Sequence, residues 1–212
     1  MRFLISLLLL FVGTAYAADP NTPHEHQGIA TRFNNPTKAK LSADDTAVLK
    51  SGKPVRKQVK SEGGGRGIAI MDISADEKTV WSVITDFPNY PNWIDQLTLC
   101  EVYKKEGKQI YTRFIIKAAL MKVEYFINHT YDPSKGYMAW ELDYARQSDL
   151  NDSTGYWLVY PSPIDPKKTR VEYSVDLRIK DWVPKFVQNM LANQGLEDAT
   201  KWVKKQSEKR AK

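Results

Sequence analysis

The chain has 212 residues, with 31 Lys and Arg against 25 Asp and Glu, which leaves a formal net charge of +6. Its single cysteine, Cys100, excludes an intramolecular disulfide, and 11% aromatic residues suit a packed domain with a large apolar interior. No basic patch interleaved with aromatics marks a nucleic-acid surface, and no stretch after the N-terminal run is apolar enough to span a membrane.

Arg2, the apolar run Phe3–Val12 and Ala15-Tyr16-Ala17 give the charged, apolar and small-x-small parts of a secretory signal peptide. The run is about half of the ~20 residues a spanning helix needs, so residues 1–17 read as a removed leader. The mature chain then begins near Ala18 in the periplasm or outside the cell. Loss of Arg2 takes the charge from +6 to +5. In that compartment the anionic partner a basic surface suits is lipid headgroups, although a merely basic soluble surface explains the charge as well.

Asp19–Ala39 holds three prolines, three asparagines and three threonines among few apolar residues, and is expected to be an extended or disordered lead. His24-Glu25-His26 inside it has no preorganised shell and reads as solvated linker rather than a metal site. Ser42-x-x-Asp45 resembles a capping box for a short helix, Ala43–Ser51, ended by Gly52 and turning Val48 and Leu49 inward. Val55, Lys57 and Val59 alternate with Arg56, Gln58 and Lys60 after Pro54, which allows an edge strand. Gly63-Gly64-Gly65 lacks the residues of a phosphate loop and reads as a hinge or bulge. Residues 18–65 thus form an N-terminal extension, and 66–212 the main domain.

Ile68, Ile70 and Ile73 supply a strand, and Ser74 stands three residues before Glu77, so a helix is expected from Ala75 with Val80, Trp81 and Ile84 on one face. Pro88 and Pro91 break it and turn the chain, with Phe87, Tyr90 and Trp93 as anchors. Strands follow at Leu97–Tyr103, Gln109–Lys117, Val123–Tyr131, Tyr137–Tyr144, Gly155–Tyr160 and Val171–Ile179. Lys105-Glu106-Gly107-Lys108 and Asp132-Pro133-Ser134-Lys135-Gly136 are turn sequences. The alternation predicts an antiparallel meander with one wet and one dry face. Asp181–Lys212 supplies the cover: Val183, Phe186, Val187, Met190, Leu191, Leu196, Ala199, Trp202 and Val203 recur at helical spacing, with Gly195 as a potential kink.

This order, with the elbow Thr85-Asp86-Phe87-Pro88-Asn89-Tyr90-Pro91-Asn92-Trp93, the Ile73-Ser74-Ala75 entry, Val80-Trp81 and Gly155-x-Trp157, resembles the START-like superfamily, also called SRPBCC. Within it the chain is similar to the polyketide cyclase/coenzyme Q-binding branch over roughly 66–208. The resemblance implies an α+β helix-grip fold: a curved antiparallel sheet around a long C-terminal helix, with two short helices after the first core strand. It also makes a cavity between sheet and helix the expected binding site.

By parity, Phe114, Ile116, Tyr125, Ile127, His129, Trp140, Leu142, Trp157, Tyr173 and Val175, with Val187, Met190 and Leu191 from the helix, are candidates to line the cavity or to pack its walls. His129 is the lone ionisable group among them and could orient a ligand carbonyl or act as acid or base. Glu141 and Asp143 share the opposite face and read as solvent-side charges. Ala118–Met121, flanked by Lys117 and Lys122, is either a tip buried under the helix or an apolar tip in transient contact with a membrane surface. No Ser-His-Asp or Cys-His arrangement, cofactor motif or metal set is visible, and Cys100 reads as an inert strand residue. The reading is an exported soluble protein that binds or carries a hydrophobic small molecule (a lipid, isoprenoid or polyketide-like compound). The alternatives are a cyclase/aromatase-like enzyme using the same cavity, or an interaction module whose core is filled.

Overall fold

The computed structural model describes residues 18–61, 64–118 and 121–212. The leader reading of residues 1–17, Gly63, and Ala119 and Leu120 of the 118–121 tip lie outside them. Eight strands form one antiparallel sheet: β1 (Val55–Ser61), β2 (Gly64–Ile73), β3 (Leu97–Glu106), β4 (Gln109–Ala118), β5 (Met121–Asp132), β6 (Tyr137–Leu142), β7 (Leu150–Pro161) and β8 (Thr169–Ile179). Their spatial order is β1-β2-β8-β7-β6-β5-β4-β3, so the chain closes β8 back onto β2 after running out through the meander. A long helix, α3 (Lys185–Arg210), packs on β2 and β8 and against α2 (Glu77–Ile84). This is the α+β helix-grip architecture, with α2 and a 3-10 helix, Phe87–Asn92, as the two short helices after β2.

Local chemistry sets the element ends, and several differ from expectation: the strand expected from Gly155 already starts at Leu150, and that expected to reach Tyr144 ends at Leu142. The second helix begins at Glu77 rather than Ala75, because Asp76, not Ser74, is its N-cap: Thr79 N donates to Asp76 Oδ1 at 2.6 Å. Ala75 is held out of the helix by its carbonyl, which accepts from Thr169 Oγ1 on β8 at 2.7 Å. Gly64 and Gly65 are paired strand residues opposite Arg178 and Leu177, not a hinge. Helix α1 (Ala43–Lys50) does carry the Ser42/Asp45 capping box, but only Leu49 is buried; Val48 is exposed.

The elbow aromatics fall as the spacing implied. Phe87 and Tyr90 are buried, and Trp93 packs partly buried against the core, stacked on Trp202 of α3 with centroids 5.7 Å apart. Tyr90 O–H donates to the Ile84 carbonyl at 2.5 Å, tying the elbow to the helix it interrupts. On α3, Val183, Val187, Leu196, Ala199, Trp202 and Val203 turn inward, with Val183 just before the helix start, whereas Phe186 is 58% exposed, against expectation. The helix passes through Gly195 as one element.

The largest departure is on the convex face of the sheet, which is not simply wet. Residues 18–42 lie across it as an ordered strap rather than a disordered lead. Asp19 and Gln147 exchange backbone hydrogen bonds of 2.9 Å, Phe33 packs edge-on against Tyr156 and Ala39 N donates to Glu172. Asp152, fully buried, accepts from Ile29 N and Ala30 N, both at 2.7 Å, and from Tyr144 O–H at 2.8 Å. Buried polar side chains on β7 and β8 thus serve as docking points for an extended backbone, whose N–H groups need partners once removed from water. A second small core of Leu49, Val55 and Ile70 forms beneath α1 on the same side.

Candidate functional site: a cavity between sheet and helix

The concave face of the sheet carries more apolar side chains than one helix covers, and a cavity of about 230 Å³ remains between them. Strand alternation delivers its walls. From β4 and β5 come Phe114, Ile116, Tyr125, Ile127 and His129; from β6 and β7 come Met138, Trp140 and Trp157; from β8 come Tyr173, Val175 and Leu177. The elbow adds Phe87 and Tyr90, and α3 adds Leu196, Ala199 and Trp202.

Nine of the sequence candidates therefore meet around one space. Leu142 and Val187 are not among its lining residues; both are buried in the packed core. The side chains of Met190 and Leu191 lie outside the described residues. Sequence reasoning did not name the elbow pair Phe87 and Tyr90 as lining residues, nor Ile94–Leu97 at the start of β3. Their signal, a proline-interrupted aromatic run, marks a turn without saying which way the rings point.

Ring contacts give the cavity fixed walls. Phe114 and Tyr125 stack across β4 and β5, centroids 5.1 Å apart and planes 6° from parallel. Trp140 stacks on Tyr173 at 5.5 Å, and Tyr173 meets Trp157 at 4.5 Å. Aromatic pairs at these separations add to burial and hold one another in single rotamers. Burial raises the phenol pKa of Tyr90, Tyr125 and Tyr173 well above the ordinary range, so these groups stay protonated and offer hydroxyls, not phenolates.

Two close approaches shape the space. A Cβ on Gly155 would lie 2.2 Å from Trp140 Cζ2 and 2.4 Å from the Ser174 carbonyl oxygen. A Cβ on Gly67 would lie 2.1 Å from Leu196 Cδ1, so the missing side chain lets α3 settle onto β2.

His129 is the imidazole of this wall, 5% exposed, with Phe87 at 5.1 Å between ring centroids. Its Nε2 is 2.9 Å from Thr112 Oγ1, while Nδ1 has no hydrogen-bond partner. Burial pushes its pKa down to about 3, so the imidazole is neutral. A neutral ring with one vacant polar position can orient a ligand hydroxyl or carbonyl. As a general base it is weak, since proton transfer works best near the operating pH.

Glu141 pairs with Arg32 of the strap at 2.7 Å, and Asp143 accepts from Tyr103 O–H at 2.6 Å; both stand on the convex side and form no carboxylate pair toward the cavity. His24 is buried with Nε2 against the Asn151 carbonyl at 2.9 Å, so the His24–His26 stretch is part of the strap rather than solvated linker. Among the described residues no group of three His, Cys, Asp or Glu could hold a metal ion. Cys100 is buried, which raises its thiol pKa and leaves it unreactive.

Solved structures share this architecture. The Zhui aromatase/cyclase from a Streptomyces species superposes with a TM-score of 0.58 at 14% identity, covering 74% of this chain and 97% of that one. A STAR-related lipid transfer protein from Xanthomonas axonopodis gives 0.56 at 14% identity, covering 80% and 96%. A START superfamily protein from Mycobacterium smegmatis gives 0.50 at 20% identity, covering 74% and 96%. At these identities the likeness is one of fold. No curated protein sequence matches the chain. The sequence itself matches, over residues 69–209, the family described as polyketide cyclase/dehydrase and lipid transport, and the chain belongs to that family within the START-like SRPBCC superfamily.

Proposed function

We propose that the protein is exported and binds or carries a hydrophobic small molecule (a lipid, isoprenoid or polyketide-like compound) in the cavity between sheet and α3, without chemistry. The observation that carries this reading is the aromatic-walled cavity of about 230 Å³ whose deep polar group, His129 Nδ1, is unpartnered. Pockets for drug-sized ligands run from roughly 300 to 1,000 Å³, so the space suits a compact ligand or one chain of a larger one. Export rests on the leader motif of residues 1–17.

Transient contact with a membrane surface belongs to the same proposal. Trp182 and Phe186 are 43% and 58% exposed, four residues apart at the entry to α3 and flanking Lys185. Aromatics beside a lysine are the chemistry of an interfacial anchor. No described helix is long and apolar enough to cross a membrane.

Native mass spectrometry of protein taken from its exported compartment, followed by solvent extraction, tests the reading. A stoichiometric hydrophobic adduct is the expected result. A clean apo mass, with no uptake of fluorescent fatty-acid or isoprenoid analogues, overturns it.

The second reading, a cyclase/aromatase-like enzyme, is favoured by the same vacant Nδ1, placed where it could hold a reactive carbonyl. His129→Gln separates the two: a carrier retains ligand with altered affinity, whereas an enzyme retains ligand and loses turnover.

A further inference from the structure

Ala18, the first described residue of the outer strap, follows the small-x-small motif Ala15-Tyr16-Ala17 in the sequence. Its backbone nitrogen lies 2.9 Å from Asp149 Oδ1. The position is fixed from the next residue on, since Asp19 and Gln147 exchange two backbone hydrogen bonds of 2.9 Å.

Asp149 is only 5% exposed and accepts a second hydrogen bond, at 2.7 Å, from Glu124 N. Two amide donors satisfy its oxygens but bring no full positive charge. The cation nearest in influence, Lys180, is 2.8 Å from Glu25 and committed to it. Glu124 on the other side is itself an anion, held by Arg113 and Lys122. Burial and the neighbouring anion raise the pKa of Asp149, and a cation in direct contact would stabilise its charged form.

Hydrolysis of the Ala17–Ala18 amide supplies that cation. One water is added across the bond; Ala17 leaves with the carboxylate, and Ala18 keeps the nitrogen as a primary amine that is protonated below its ordinary pKa of about 8. The same atom that donates one amide hydrogen bond then carries a positive charge at unchanged distance. We propose that removal of the leader completes the fold: the new α-ammonium of Ala18 pairs with the buried Asp149 carboxylate and pins the strap to the sheet. This rests on the export reading, and it adds a structural role for the processed terminus.

Two measurements distinguish a failure of the inference from a failure of export. Intact mass of the exported protein reads the terminus, and a mass beginning at Ala18 is expected. An uncut leader, or cleavage elsewhere, overturns both the processing step and this pair. Independently, four chains made with defined starts form a cycle: free Ala18 or Nα-acetylated Ala18, each with Asp149 or with the substitution Asp149→Asn. Acetylation should lower the thermal midpoint by roughly 5–10 °C with Asp149 present and leave it nearly unchanged in the Asp149→Asn background. Because the acetylated nitrogen keeps one N–H that can donate to Asp149, loss of that hydrogen bond does not mimic the effect. Equal shifts in both backgrounds, with a correct Ala18 terminus, overturn the pair and leave export standing.

Discussion

His129 Nε2 and Thr112 Oγ1 lie 2.9 Å apart on adjacent strands, and this is the sole hydrogen bond of a ring otherwise enclosed by aromatics. Thr112 sits at the inward parity of β4 opposite Ile127, so the register that makes the cavity also supplies the histidine's one partner. The second nitrogen is left for whatever enters.

That arrangement gives the fold an acid sensitivity with a definite sign. His129 falls from an ordinary pKa of 6.5 to about 3 on burial. Between those values the unfolded chain binds a proton that the native state refuses. The stabilisation is complete above pH 6.5, is lost as pH falls toward 3, and amounts to roughly 3–5 kcal/mol across the window. Thermal midpoints from pH 7 to 3.5 should fall more steeply for the wild type than for His129→Gln. Parallel slopes would show that the ring is not enclosed as described.

Gly155→Ala tests the close approach behind Trp140. The added methyl would meet the indole at 2.2 Å and a backbone carbonyl at 2.4 Å, and the carbonyl cannot rotate away. Trp140 must shift off Tyr173, breaking the stack at the cavity wall. The expected cost is about 1–3 kcal/mol in a denaturant titration, with a changed tryptophan emission spectrum. An unchanged midpoint and spectrum would mean that the wall is loosely packed.

Much of this was legible in the sequence because strand parity is a hard constraint. Once Ile127, His129 and Val123 share a face, pairing with β4 and β6 places Phe114 and Trp140 beside them. Parity could not tell a lining residue from a packed one: Leu142 and Tyr173 both point inward, but only Tyr173 meets the space. It also misjudged the outer face. Glu141 read as a solvent-side charge, yet it faces, with Asp152 and Glu172, a strap more than a hundred residues earlier in the chain. A polar strap recognised by carboxylates leaves the same pattern as a wet surface. Ser74 against Asp76 was a choice between two adequate caps, decided by Thr169 on a strand about a hundred residues away.

The pair Asp72–Arg170 joins β2 to β8 where the chain closes, with Nε–Oδ1 and Nη2–Oδ2 both 2.8 Å and both side chains buried. Removing one partner strands a buried charge, so Arg170→Met alone should cost about 3–5 kcal/mol. The double variant Asp72→Leu with Arg170→Met should recover most of that loss, because no unpaired charge remains. Chemical denaturation of the wild type, Arg170→Met, Asp72→Leu and the double variant measures it, and a double variant as unstable as the sum of the singles would count against a coupled pair.

Trp182 and Phe186 carry the membrane part of the proposal. Their exposure leaves two large apolar side chains in water at the entry to α3, beside Lys185, without a described core partner. Burying either ring in the headgroup boundary gains about 1.5–3 kcal/mol, and the lysine adds attraction to anionic lipid. The double variant Trp182→Asp with Phe186→Asp should therefore weaken binding to phosphatidylglycerol vesicles by about tenfold or more, as read by vesicle sedimentation. Both side chains lie outside the core, so the thermal midpoint should move by less than about 2 °C. Undiminished vesicle binding would exclude this surface as the contact and return attention to the 118–121 tip, flanked by Lys117 and Lys122. No vesicle binding by the wild type would remove the membrane from the proposal and leave a carrier that meets its ligand in solution.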